Sequence, residues 1–195
     1  MFEIDYFTTN ILVMKRKILI GFGIFIVLLV AAMFFLNNRN RTLSPPGSTE
    51  IENQGLEVRV DYSRPSVRGR KIFGNESGDL LLPYGKYWRL GANEPTLITV
   101  NKNFKFNGIE MPAGQYDMYA VPAHEFFELR LNTGLRFWGA TEPDYNEDVL
   151  KTKVPVKMTN TNVEQFTITA MAEGENVVLQ MMWADREWSV TIAPN

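Results

Sequence analysis

Cysteine is missing from the 195 residues, which excludes disulfides, thiolate nucleophiles, thiolate metal sites and a lipid anchor on cysteine. Histidine occurs once, as His124, so a multi-histidine zinc site and a relay between two histidines are both impossible within one chain. The chain also has no D-x-D-x-D-G calcium loop, P-loop, Rossmann fingerprint or G-x-S-x-G elbow. No metal and no cofactor is therefore expected. A basic surface is lacking as well. Setting aside Lys15, Arg16, Lys17, Arg39 and Arg41 with Glu3 and Asp5 leaves 15 basic against 20 acidic residues from Thr42 onward. An acidic domain without a recognition motif argues against nucleic acid as a partner. What remains is ordinary core material: 45% apolar residues, with 13 Phe, 7 Tyr and 4 Trp.

Ile18 to Leu36 forms an uninterrupted apolar run of residues without a single charge. At about 1.5 Å per helical residue it is long enough for the roughly 30 Å hydrocarbon core of a bilayer. Residues 18–36 are therefore expected to be a transmembrane signal-anchor helix, with 1–17 a short cytoplasmic N-terminus. Lys15, Arg16 and Lys17 before the run outnumber Arg39 and Arg41 after it, which favours a cytoplasmic N-terminus and a periplasmic or otherwise exocytoplasmic C-terminal domain. Met14, directly before Lys15, reads as an alternative start. The polar stretch 37–55, with Pro45-Pro46-Gly47, is expected to be a flexible linker.

From residue 56 the apolar period is two. Leu56, Val58, Val60 and Tyr62 alternate with charged and polar residues, as do Phe127, Leu129 and Leu131. In Phe104 to Met111, Asn107-Gly108 predicts a two-residue hairpin loop, because both positions of a type I′ turn need positive φ. That register pairs Phe106 with Ile109, Lys105 with Glu110 and Phe104 with Met111. Near the C-terminus, Gln165–Ala172, Val177–Trp183 and Trp188–Ile192 predict a meander. In it Asp185-Arg186 is a turn that sets Trp183 opposite Trp188. Asp144–Leu150 allows one helical turn. Residues 56–195 are thus expected to form a single all-β domain, an antiparallel β-sandwich or partly open barrel of about eight to nine strands.

Two segments carry candidate binding chemistry. Between Arg59 and Lys71 five cations stand against one acid, and Arg64, Arg68 and Arg70 sit in a Gly/Pro/Ser-rich stretch where guanidinium groups can fork onto carboxylate or phosphate. The alternative is solvated or ion-paired charge. The second segment, Leu82 to Thr96, combines Trp88, Arg89, Asn93, Glu94 and Thr96. As a site, Trp88 or Tyr87 is a stacking platform flanked by hydrogen-bonding groups, suited to a sugar or a small polar ligand. As structure, Trp88 fills the core, Arg89 pairs with a carboxylate and Asn93 closes a turn. His124 is expected at the surface.

The succession YSRPSVRGRKIFG, LPYGKYWRLGANEPT and the run Gly108 to Tyr116 resembles the bacterial domain-of-unknown-function 2911 family. The similarity continues through Phe137-Trp138-Gly139, Tyr145 to Leu150 and Glu164-Gln165-Phe166. It implies an exported domain of the type frequent in Bacteroidetes, and it supplies no activity. It also places Arg64, Arg68, Arg70, Trp88, Arg89, Asn93, Glu94 and Thr96 within the family's signature segments. Between Val121 and Leu135 the chain departs from the pattern, with His124-Glu125-Phe126-Phe127 where relatives carry a tryptophan strand.

The expected function is a membrane-anchored binding module of the cell envelope for an anionic or carbohydrate ligand. The alternatives are a hydrolase that uses Glu94 or another carboxylate, and a structural or assembly protein with no small-molecule site. The membrane is an expected partner through the helix; nothing in the sequence indicates which proteins the domain meets.

Overall fold

The computed structural model describes residues 2–75 and 80–195, with side chains from residue 14 onward. Helix α1 spans Phe2–Leu43; the chain up to Thr42 forms one unit, and Leu43–Asn195 forms a second. Met14–Leu43 within α1 is long and apolar enough to cross a membrane, and none of its apolar window is buried.

Among the described residues the second unit has twelve strands: β1 (Pro46–Asn53), β2 (Leu56–Ser63), β3 (Lys71–Gly74), β4 (Leu80–Pro83), β5 (Thr96–Val100), β6 (Phe104–Phe106), β7 (Ile109–Met111), β8 (Gly114–Pro122), β9 (Phe126–Asn132), β10 (Asp148–Pro155), β11 (Lys157–Glu173) and β12 (Asn176–Pro194). One antiparallel sheet has the order β1-β2-β5-β8-β9-β10 and the other β11-β12-β6-β7, while β3 and β4 form a parallel pair. The alternating apolar residues of both larger sheets meet in one core, which makes the domain an open sandwich rather than a closed barrel. Val58, Val60, Ile98, Met118, Leu129 and Leu131 come from one side, and Phe106, Phe166, Leu179, Met181, Trp183 and Trp188 from the other.

The hairpin predicted at Asn107-Gly108 forms in the expected register, with φ of 50° and 83° at the two turn residues. The single helical turn is also present, as a 3-10 turn over Tyr145–Glu147. The span 37–55 is not a linker of that length. Helix α1 runs to Leu43, and β1 pairs along its whole length with β2 through a Gln54-Gly55 turn whose φ values are 52° and 79°. Strand β1 lies at the sheet edge with alternate residues only half-buried, so polar Ser48, Glu50 and Glu52 suit it without apolar periodicity.

The C-terminal meander is corrected too. Asp185-Arg186 is not a turn: β12 runs unbroken from Asn176 to Pro194. Its buried residues are Val177, Leu179, Met181 and Trp183, then Ala184, Arg186, Trp188, Val190 and Ile192. The inward positions change from odd to even at Ala184, whose φ is +51°, and the β11 register shifts there. A β-bulge adds one residue and so exchanges the two faces of a strand. A two-residue hairpin loop produces the same exchange of parity. That shared signature is why the expected turn is in fact a bulge.

Candidate functional site

The segment Leu82 to Thr96 folds as a tight structural turn. Trp88 N donates to Ala120 O at 2.8 Å and Ala120 N to Trp88 O at 2.9 Å, so Trp88 extends the sheet beside β8 just beyond the end of β5. Its ring is in the core, nearly parallel to Trp183 at 5.6 Å and edge-on to Phe166 at 5.2 Å. The indole N–H donates to Gly91 O at 3.2 Å, and Thr96, fully buried, donates from Oγ1 to Leu90 O at 2.7 Å. Leu90 and Asn93 hold φ values of 52° and 56°. A Cβ on Gly91 would sit 2.9 Å from Ser63 O, so only glycine allows this approach of the turn to β2. Arg89 donates to Asn93 O at 3.4 Å, and burial lowers its pKa. Glu94 accepts from Ser63 Oγ at 3.3 Å. Trp88 thus fills the core and Asn93 closes a turn, while among the described residues Arg89 donates to a carbonyl rather than to a carboxylate. The Trp88 ring is therefore not available to a ligand as a stacking platform, and half-buried Tyr87 has the Arg136 guanidinium over its ring.

The three arginines separate. Arg64 lies against Gly47 and donates from Nη2 to Thr167 Oγ1 at 3.4 Å, which ties the chain after β2 to β11. Arg68, at φ +52°, donates to the carbonyl of Leu43, and its N–H reaches Glu164 Oε1 at 2.9 Å. Arg70 curls onto its own turn, with Nε 3.0 Å from Val67 O and Nη2 2.6 Å from Ser66 O.

Arg70 also borders a recess of about 360 Å³, with Lys71, Ile72 and Phe73 of β3, Asn162 of β11, and Ala184, Asp185 and Arg186 of β12. The recess lies where the β11–β12 ladder is broken: pairing jumps from Met158↔Arg186 to Val163↔Ala184 and again before Thr167↔Met182. Arg186, 9% exposed, forms an ion pair with Asp185 at 2.7 Å. Among the described residues neither Arg70 nor Lys71 has a carboxylate partner. Among the described residues three cations and one carboxylate surround the opening. Arg70 is visible in the sequence as part of a cationic run, whereas Arg186 is hidden there by the likeness of the bulge to a turn.

A second polar assembly covers the outer face of the larger sheet. Asp117 and Tyr119 of β8 are buried on the side opposite the apolar core. Arg136 grips Asp117, with Nε 2.7 Å from Oδ2, and lies 5.3 Å over the ring of Tyr87. Asp148 collects Tyr119 Oη at 2.7 Å, Asn132 Nδ2 at 2.9 Å, Lys151 Nζ at 3.1 Å and Arg130 Nη1 at 3.2 Å. Four donors leave this carboxylate no lone pair for base chemistry, so its work is to hold residues 133–148 onto the sheet. Burial raises the pKa of Asp117 in spite of Arg136. Burial pushes Asp148 up as well, but the bonds from Asn132, Tyr119 and Lys151 outweigh it and hold that carboxyl below its ordinary 3.8. Burial and the hydrogen bond to Glu142 push Tyr145 up to about 12.

The depressed pKa has a definite sign. Folded Asp148 keeps its charge to lower pH than the unfolded chain does, so its contribution is complete above the ordinary value and is lost as pH falls below 3.8. Asp117, shifted upward, acts in the opposite sense. Urea unfolding between about pH 6 and pH 3 should therefore show a loss of stability on the acid side that is shallower in Asp148→Asn. Parallel profiles for parent and variant would remove Asp148 as the source.

His124 is exposed, as expected, with its ring 6.2 Å from Tyr84. A family model described as a protein of unknown function (DUF2911) matches residues 44–192, a span that begins two residues before β1. No curated protein and no solved structure matches the chain.

Proposed function

The chain belongs to the DUF2911 family, and from its geometry we propose a membrane-anchored binding module that takes a small anionic ligand in the recess between β3 and the bulge of β12. The observation that carries this reading is the set of three cations, Arg70, Lys71 and Arg186, around an opening with one carboxylate among the described residues. Its volume of about 360 Å³ is at the lower end of small-molecule sites, which suits a ligand with one or two carboxylate or phosphate groups. Guanidinium groups bind such oxyanions through charge-assisted, forked hydrogen bonds. The burial of Trp88 and the Arg136 guanidinium over the ring of Tyr87 take away the platforms a sugar would use, so the anionic half of the expectation is the half with support.

Inorganic phosphate, nucleotides and dicarboxylates are the probes for thermal-shift measurements. At a hundred times its Kd a ligand adds about 2.7 kcal/mol, or roughly 5–11 °C for a domain of this size. Lys71→Gln, at an exposed position, should melt like the parent and lose most of the ligand-induced shift; Arg186→Gln should lose all of it. If none of the anions moves the parent, the recess is not their site.

The same proposal places the N-terminus of α1 in the cytoplasm and the β domain outside it. Support comes from the charges flanking the apolar run, Lys15, Arg16 and Lys17 before it against Arg39 and Arg41 after it. Protease added to spheroplasts should digest the β domain without lysis. A domain protected until the membrane is broken would reverse the orientation.

A further inference from the structure

The loop from Thr133 to Asp144 presents its apolar residues outward. Phe137 is 95% exposed, Leu135 54% and Trp138 36%. This is not a floppy tip. Arg136, between the exposed residues, is clamped to buried Asp117 and donates to the carbonyl of Thr141. Gly139 N donates to Asn93 O at 2.9 Å, and Tyr87 Oη to Gly139 O at 2.9 Å. A Cβ on Gly139 would approach Arg89 Cδ to 2.7 Å, so the loop is seated tightly. Large aromatic side chains held in water by so many polar contacts mark a surface built to meet something apolar.

The place of the loop says what that is. Asn93, which accepts from Gly139, donates from Nδ2 to Ser44 O at 3.3 Å. Ser44 directly follows the last residue of α1, and the apolar run ends at Leu36. Residues 36 to 43 are helical, seven residues of rise or about 10 Å, and Ser44 follows directly, so residue 44 lies within about 14 Å of the end of the apolar run. The Phe137–Trp138 loop is two hydrogen bonds from this point. Arg39 and Arg41 fall within the same interval, and Arg68, bonded to the Leu43 carbonyl, lies at its end. Aromatic rings together with arginines are the composition of the membrane–water interface.

We propose that the 133–144 loop is a second membrane contact, with Leu135, Phe137 and Trp138 seated in the headgroup layer of the bilayer that α1 crosses. The proposal rests on α1 being a membrane span. Glu142 and Asp144 on the same loop and nearby Glu147 make the contact one with neutral lipid, driven by the apolar side chains and not by anionic headgroups.

The absence of cysteine makes the test direct, since single cysteines can be introduced and spin-labelled in the full chain reconstituted into phosphatidylcholine vesicles. Labels would sit at Phe137→Cys, at Leu28→Cys in the middle of the apolar run, and at Glu175→Cys. Glu175 follows Gly174, whose carbonyl accepts from Asn53 at the far end of β1. Seven residues of strand, about 23 Å, separate Asn53 from Pro46. The expected result is that the label at 137 relaxes more with oxygen than with a water-soluble nickel chelate, as at 28, while the label at 175 does the opposite. Bromolipid should also quench the native fluorescence by a fraction that disappears in Trp138→Phe. If the label at 137 behaves like the one at 175, or is shielded from both reagents as under a protein partner or a second copy, the proposal is overturned. An aqueous label at 28 would overturn the membrane span itself and this contact with it.

Discussion

Trp88→Ala is expected to destabilise the β domain by about 3–5 kcal/mol, the range for deleting a large buried aromatic. For a domain of this size that lowers Tm by roughly 6–20 °C. The ring sits at the centre of an aromatic cluster, within 5.2–6.3 Å of Phe166, Trp183, Phe73, Trp188 and Phe127. Removing it leaves a cavity bounded by rigid rings that cannot collapse to fill it. Trp88→Phe retains part of the packing and loses the N–H bond to Gly91 O, so its Tm should fall between parent and alanine variant. The measurement is calorimetric unfolding of parent and both variants. An alanine variant that melts with the parent would place the ring outside the core and reopen a ligand-stacking role for it.

Asp117→Ala should cost a comparable amount, about 3–5 kcal/mol, by a different route. Asp117 is fully buried and Arg136 has 13% of its side chain exposed, so the variant strands a guanidinium away from water with no carboxylate. The ring of Tyr87 cannot replace the lost charge. Arg136→Met alone leaves the carboxylate unpaired, but its raised pKa lets it take up a proton, so the effect should be smaller. Combining both substitutions removes the stranded charge and should recover much of the loss, since apolar replacement of a buried pair is often near neutral. A double-mutant cycle in urea measures the coupling, and additive effects would mean that the pair does not hold the loop.

These substitutions mark where local pattern was informative and where it was not. The hairpin at Asn107-Gly108 was legible because both residues tolerate positive φ. The Gln54-Gly55 turn has nearly the same dihedrals, but glutamine is no turn former, so β1 was hidden in a polar stretch. Strand β8 alternated only loosely because both of its faces are covered: Tyr116, Met118 and Ala120 face the core, while Asp117 and Tyr119 face the polar assembly. Their partners lie on β9, β10 and the 133–147 segment, contacts that no local window reveals. The same holds for the recess. Arg70 was visible as part of a cationic run, but Arg186 joins it only through a bulge that mimics a turn in sequence. In the Trp88–Thr96 segment the mixture of residue types was correctly seen as unlike an ordinary strand. Its explanation is a turn with two positive-φ residues and a glycine pressed against β2.

Strand β12 pairs on one side with its sequence neighbour β11 and on the other with β6, where Ile192 meets Phe106 and Pro194 meets Phe104. The β6–β7 hairpin is local in sequence, but its place in the sandwich is set by pairing with residues 192–194. Closing so long a stretch of chain is slow, and its entropic cost is met late. Without residues 192–194 the Phe104 and Phe106 hairpin has no neighbour, and its apolar edge is open to aggregation. The hairpin therefore docks only after β12 has been made, and a change at residues 192–194 acts on the interior of a sheet and not on a loose end.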